Sequence, residues 1–243
     1  MKIIKLDAID STNSFLKDLG RTTVLKNFTT VTAKQQLNGR GQQAGTWVAE
    51  SGKNLTFSTY ASFLALEIKN HKYLNFAVSL AVLETLTHLK VPNLQIKWPN
   101  DILAGNDKIA GILIENTLKE QKIQAAIIGI GLNVNQECFP VFSRKATSIK
   151  NCLQKEINLE DTLQLLLTSL QTKLALLKEG QFQLLETQYL EFLYKKNVPA
   201  TFRNQQNVLF MGMIQGVSPK GKLQILLADD SLQEFGIKEV SFA

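Results

Sequence analysis

Cysteine is scarce in this chain: of 243 residues only Cys138 and Cys152 carry a thiol. They stand fourteen positions apart, outside any C-x-x-C pair and with no histidine nearby. That pattern fits neither a disulfide framework nor a zinc site, and reduced thiols of a cytoplasmic protein are expected. Long apolar runs are missing as well. The longest, Ala125 to Leu132, falls far short of the roughly 20 residues that span a bilayer, so no membrane insertion is expected. The N-terminal residues Met1 to Asp7 alternate like a strand and meet Asp7 and Asp10 before any stretch resembling a signal peptide, so no export is expected either. Basic residues outnumber acidic ones, 27 to 21, for a net charge of +6. They are scattered, with no Lys/Arg run interleaved with aromatics, which argues against a nucleic-acid partner and for steering toward acidic ligands. Repeats, low-complexity tracts and Gly/Ser linkers are absent, so the parts of the chain should pack closely.

What is present supports a core, with 44% hydrophobic residues. Strand-like patterns run near 2–9, 29–35 and 55–60, and a helix starts near residue 12 with Ser11 or Asp10 as cap. Leu74, Ala77, Val78, Ala81, Thr85 and Leu89 recur at helical spacing up to Pro92. Three strand-like segments follow, at about 94–104, 107–116 and 122–134, with a hairpin turn expected at Gly105-Asn106-Asp107. They imply a mixed sheet with antiparallel pairing. Leu163, Leu166, Leu167, Leu170, Leu174 and Leu177 make a helical stripe, and a second helix is expected over 181–194. Residues 198–243 read as short strands between turns, the pattern of a small all-β barrel.

Four constellations carry possible chemistry. Residues 37–53 hold Gly39, Gly41, Gly45 and Gly52 with Arg40 and Trp47. The loop reads either as a mobile turn or as a cradle in which backbone N–H groups and Arg40 hold phosphate oxygens and Trp47 stacks on a flat base. It is neither a Walker loop nor a dinucleotide fingerprint. Lys97-Trp98-Pro99-Asn100-Asp101 and Lys108 to Glu115 put lysines inside apolar strands. With the hairpin in place, Lys97 and Lys108 are expected on adjoining strands. Asp101 is then a structural partner for one lysine, or the set stabilises negative charge developing on a carboxylate or phosphate. Gly129 to Asn135 ends a β run in amides, where Asn133 is a strand-end cap or a ligand to an adenine edge or phosphate. Ser11-Thr12-Asn13 is by itself an N-cap.

Taken in order, Ser11-Thr12-Asn13, Gly39 to Trp47, Lys97 to Asp101, Lys108 to Gly111 and Gly129 to Asn133 resemble the catalytic domain of biotin protein ligases. The Lys-Trp-Pro-Asn-Asp block is the most specific piece. The resemblance implies an α+β fold, a mixed and largely antiparallel sheet with helices as in class II aminoacyl-tRNA synthetases and biotin ligases. A small C-terminal SH3-like β-barrel completes it, with 1–196 as the biotin- and ATP-binding catalytic domain and 197–243 as the second. It implies biotin contacts from Ser11, Thr12, Asn13, Gln36, Gly39, Arg40, Gly41, Gln42, Lys108 and Gly111. Trp47, Asn100, Asp101 and Asn133 fall to ATP, and Asp101 to Mg2+, with Lys97, Lys108 and Arg40 as the catalytic cations. The implied partner is the biotin carboxyl carrier domain of a biotin-dependent carboxylase, and a homodimer through a sheet edge is allowed.

Two departures stand out. Many members read Gly-Arg-Gly-Arg-x-Gly-Arg-x-Trp, whereas Gln42 and Gly45 occupy two of the arginine positions here. The first motif starts at residue 11, so the resemblance is to the monofunctional class without an N-terminal DNA-binding domain, and no DNA binding is expected. The 37–53 loop is expected to be mobile without ligand and to order as a lid. The rival readings are a lipoate or octanoate protein ligase, which lacks the Lys-Trp-Pro-Asn-Asp block, a basic nucleic-acid-binding module, and a catalytically silent effector-binding protein.

Overall fold

The computed structural model describes residues 2–140 and 145–243. Strand β1 (Lys2–Ile9), helix α1 (Thr12–Thr22) and strand β2 (Thr29–Gln36) form a crossover unit in which β1 and β2 pair in parallel, as a parallel pair requires. The glycine loop follows, and then come β3 (Leu55–Glu67), α2 (His71–His88), β4 (Leu94–Lys97), β5 (Asp101–Ala104), β6 (Asp107–Lys119) and β7 (Lys122–Leu132). These complete a seven-stranded mixed sheet of order β1-β2-β3-β7-β6-β5-β4, antiparallel beyond the first pair. Helices α3 (Ile149–Leu153), α4 (Leu159–Lys178) and α5 (Phe182–Glu191) lead to β8 (Pro199–Asn204), β9 (Leu209–Val217), β10 (Leu223–Leu227), β11 (Leu232–Phe235) and β12 (Val240–Phe242). The last five form an antiparallel sheet of order β11-β10-β9-β8-β12. The α+β architecture is as expected. The C-terminal ladder ends at β11 and β12, and among the described residues no pairing joins those two strands.

Period-2 alternation explains why the two faces of the large sheet differ. Ile128 and Ile130 point into the main core, where α2 and α4 bury Leu74, Val78, Leu166, Leu170 and Leu174. Ile127 points the other way and packs with Val31 and Leu16 of α1. On that second face the next positions of β7 are Gly129 and Gly131. The α1 side is therefore filled by isoleucine at one end and left hollow at the other.

Three expectations need correction. Residues 94–104 are two strands, because the chain turns back at Trp98-Pro99-Asn100, where Pro99 has no N–H to continue a ladder. Lys97 and Lys108 are consequently not on adjoining strands. β5 lies between them, with Asp101 opposite both Lys97 and Gly111. The second C-terminal helix ends at Glu191 rather than 194, since Phe192 O and Tyr194 N are taken by Ile96 of β4.

The small sheet is fastened to the large one by polar contacts at low exposure. Lys72 of α2 is 6% exposed and lies 2.7 Å from Glu186 of α5 and 3.5 Å from Val217 O of β9, while Tyr73 donates to the same carboxylate at 3.1 Å. Burial and that carboxylate push the Tyr73 hydroxyl pKa up. Trp98 Nε1 donates to Gly221 O at 3.2 Å. Among the described residues no helix is long and apolar enough to cross a membrane.

Candidate active site

The hollow part of the sheet is the floor of a cavity of about 490 Å³. Register places Ser58, Gly129 and Leu113 in one cross-strand row and Thr56, Gly131 and Gly111 in the next. With glycine at both β7 positions, groups from outside the sheet can lie directly on its backbone. Two do. A Cβ on Gly129 would collide with Asn13 Oδ1, and one on Gly131 would collide with the Trp47 indole.

One end of the cavity is neutral and polar. Ser11 takes the N-cap position of α1, but its side chain makes no capping bond and lines the cavity instead. Thr12 N–H donates to Gln36 Oε1 at 2.8 Å, with Thr12 Oγ1 at 3.0 Å from the same oxygen and 2.7 Å from Ser58 Oγ. Ser58 Oγ donates to Asn13 Oδ1 at 2.5 Å, and Asn13 Nδ2 donates to Glu115 Oε2 at 2.8 Å. Thr12, Asn13 and Ser58 are all buried. Hydrogen bonds therefore hold Thr12, Asn13, Ser58 and Gln36 Oε1 in place.

The other end is cationic. Lys108 Nζ is 2.6 Å from Asp101 Oδ1, with side-chain exposures of 29% and 16%, and sits 5.6 Å from the centre of the Trp47 ring. Lys97 Nζ leans on the Phe242 ring at 5.0 Å. Asn100 is fastened to β6 in both directions: its Nδ2 donates to Ile112 O at 2.7 Å, and Ile112 N donates to Asn100 O at 3.0 Å. Asp101 is the one carboxylate among the described lining residues.

The glycine loop closes one side. Gly39 and Trp47 pair at 2.9 Å, Gly41 and Gly45 at 2.6 Å, and Arg40 bridges to Thr46, so the loop is a narrow hairpin. Gly39 is required there because a Cβ would strike Trp47 O. Arg40 Nη2 donates to Glu115 Oε2 at 2.7 Å. Two buried polar atoms of the loop, Gln42 Oε1 and Trp47 Nε1, have no partner among the described residues, which costs about 1–3 kcal/mol each unless a ligand supplies one. The C-terminal sheet closes the last side: Lys238 Nζ donates to Gln43 O at 2.8 Å, and Ile237 and Phe242 line the cavity. The whole can take an acid with a polar far end, an anionic phosphate region and a flat ring.

A family model described as the Biotin/lipoate A/B protein ligase family matches residues 6–133. The chain belongs to that family. It is similar to the bifunctional ligase/repressor BirA of Bacillus spizizenii, 31% identical over 135 residues that make up 56% of this chain and 41% of that protein. It is also similar to the biotin–[acetyl-CoA-carboxylase] ligase of Paracoccus denitrificans, 34% identical over 131 residues, 51% of each. The chain thus spans about half or less of the length of these curated relatives. Its fold superposes on the biotin protein ligase of Aquifex aeolicus solved with biotin and ATP, with a TM-score of 0.80 and 25% identity, covering 100% of this chain and 98% of that one.

The family motifs converge on this one cavity. Ser11, Thr12, Asn13, Gln36, Arg40, Gly41, Gln42, Trp47, Lys97, Asn100, Asp101, Lys108 and Gly111 all line it. Gly39 and Asn133 do not. Gly39 shapes the loop from behind, and Asn133 is buried with its Nδ2 donating to Thr147 O at 2.9 Å and its N–H to Ile109 O. Sequence reasoning passed over Ser58, the role of Glu115 and the whole C-terminal contribution. Ser58 carried a signal, a hydroxyl in mid-strand, which only the register connects to Asn13.

Proposed function

We propose that the chain is an ATP-dependent biotin protein ligase. It joins the biotin carboxylate to the α-phosphate of ATP, releasing pyrophosphate, and passes the biotinyl group from the adenylate to a lysine amine of a biotin carboxyl carrier domain, releasing AMP. The observation that carries this reading is the single cavity in which a neutral, pre-bonded polar end faces a cationic end across a floor of glycines. Ser11, Thr12, Asn13 and Gln36 hold the heterocycle. Lys108 neutralises the carboxylate as it meets the phosphate, Lys97 and Arg40 take the developing phosphate charge, and Trp47 supplies a stacking face. Asn133 acts on the nucleotide only through the strand end it fixes. Catalysis is then positioning and charge stabilisation with no covalent enzyme intermediate.

Magnesium fits as a companion of the nucleotide. Among the described residues no cluster of three metal-binding side chains occurs, and one carboxylate, Asp101, lines the cavity. That donor set suits an ion held chiefly by phosphate oxygens and water. We also propose the division into 1–196 and 197–243, the second part an SH3-like β domain built on its five-stranded sheet. A cytoplasmic setting agrees with the two free cysteines, Cys138 exposed and Cys152 partly so. Among the described residues the outer edge of β1 is unpaired, and we propose it as the edge open to a second copy or to the carrier.

The test is pyrophosphate release from Mg-ATP with biotin, beside lipoate and octanoate. Biotin-dependent release supports the reading, release with lipoate or octanoate alone moves the chain to the other branch of its family, and release with none removes it. The loop makes a second prediction. With Gln42 and Gly45 in place of two arginines, the adenylate should escape readily, and Gln42→Arg should slow its escape about 10-fold, the effect of one charge-assisted bond. Single-turnover experiments with labelled ATP measure the escape, and an unchanged rate discards the explanation.

A further inference from the structure

Glu115 does not line the cavity, yet it touches both the glycine loop and the start of α1, which do. One oxygen, Oε2, accepts from Arg40 Nη2 at 2.7 Å and from Asn13 Nδ2 at 2.8 Å. Arg40 belongs to the glycine loop and Asn13 to the first turn of α1. They are 27 positions apart in sequence and share no hydrogen bond of their own among the described residues. Register sets Glu115 opposite Ile127, one row beyond the Ser58-Gly129-Leu113 row on which Asn13 lies.

A carboxylate only accepts, so with Leu113 O, 3.4 Å from the same nitrogen, it fixes how the neighbouring amide is turned. Asn13 must offer Nδ2 to Glu115 and Oδ1 to Ser58. Ser58 then spends its one proton on Asn13 Oδ1 at 2.5 Å, and its contact with Thr12 Oγ1 at 2.7 Å needs the Thr12 proton. Thr12 Oγ1 is also 3.0 Å from Gln36 Oε1, which accepts the Thr12 N–H at 2.8 Å, so the one Thr12 hydroxyl proton serves either Ser58 or Gln36. These acceptors thereby set the sense of the run Glu115-Asn13-Ser58, which leads on to Thr12 and Gln36. The same carboxylate pins one nitrogen of Arg40 and leaves the rest of the guanidinium fork for a phosphate.

We propose that Glu115 is a positioning residue that couples recognition of the acid substrate to the placement of the glycine loop, an inference that rests on the ligase reading above. It touches no reacting atom and acts through Asn13 and Arg40. An ion pair with Arg40 44% exposed contributes little to global stability, so the consequences are local.

The experiment compares wild type, Glu115→Ala and Glu115→Gln, each with and without Arg40→Ala. In the substrate-free protein, hydrogen exchange of the amides of residues 39–47 is expected to speed up in Glu115→Ala, with the rest of the sheet unchanged. In turnover, KM for biotin should rise about 10-fold or more, the worth of lost charge-assisted bonds, and KM for ATP should rise with it, because the loosened loop carries Arg40 and Trp47. Glu115→Gln, which keeps an acceptor in the same place, should recover part of both effects, and it carries the test if the alanine variant folds poorly. Arg40→Ala should cost less in the Glu115→Ala background than in wild type. Unchanged exchange, additive effects, or a loss confined to one substrate would overturn the proposal. A wild type that makes no pyrophosphate from biotin defeats the ligase reading instead, and the exchange measurement still decides whether Glu115 holds the loop.

Discussion

Replacing Lys108 with alanine is expected to lower biotin-dependent pyrophosphate release by about 10²–10³-fold, the usual loss when one preorganised charge is removed from a developing anion. Its ammonium sits where the polar end of the cavity gives way to the cationic end, 2.6 Å from Asp101 and above the face of Trp47. Joining a carboxylate to a phosphate brings two anions together, and a cation between them relieves that repulsion most at the moment of bond formation. kcat should therefore fall more than KM for biotin rises. The Asp101 pair is partly solvated, so folding should suffer little and the thermal midpoint should stay near that of wild type. Lys108→Arg is not a conservative control, because a planar fork cannot sit between Asp101 and Trp47 as a compact ammonium does. Activity of Lys108→Ala within a few-fold of wild type would remove Lys108 from the reaction.

Much of this site is legible in the sequence, for an identifiable reason. Local patterns report on residues whose neighbours are near in sequence. The Ser11 to Asn13 cap, the glycine loop and the alternation of β7 all lie within short windows, and each falls where the patterns put it. What was not legible depends on partners brought together by the sheet. Asp101 looked like a residue of one long strand. The turn at Trp98-Pro99-Asn100 is a tertiary event: Asn75 of α2 donates to Pro99 O at 2.6 Å and Trp98 reaches Gly221. Glu115 looked like the outer end of a strand, and nothing local marks it as the acceptor for Arg40, 75 positions earlier. Asn133 had the right chemistry for a ligand, but its amide nitrogen is turned to Thr147 O, a partner 14 positions later. Lys238 and Phe242, at the far end of the chain, belong to the cavity only because the small sheet docks against α2 and α5.

The glycines of β7 provide the sharpest separation of the two ends of the cavity. A single methyl at Gly131 points into the Trp47 ring, and one at Gly129 points into the Asn13 amide. Neither backbone adopts a left-handed conformation, so alanine is conformationally acceptable at both and acts only through the collision. Gly131→Ala should drive the indole off the floor and the hairpin of the loop with it, raising KM for ATP and reducing turnover about 10²-fold, the penalty of displacing a positioning group by roughly an ångström. Gly129→Ala should instead tilt Asn13 away from Ser58 and Glu115 and raise KM for biotin, with KM for ATP nearly unchanged. Overpacking at either site costs about 1–3 kcal/mol of stability, so activity must be read well below the midpoint of unfolding. Trp47 fluorescence, isolated in a Trp98→Phe background, checks the first displacement directly, because the ring should become more exposed in Gly131→Ala and keep its environment in Gly129→Ala. The contrast follows from alternation alone: two glycines two residues apart on one strand face the same side, about 7 Å from each other, yet each carries a different half of the substrate pair. If both variants shift the same Michaelis constant, the cavity is not divided in this way and Trp47 does not serve the nucleotide.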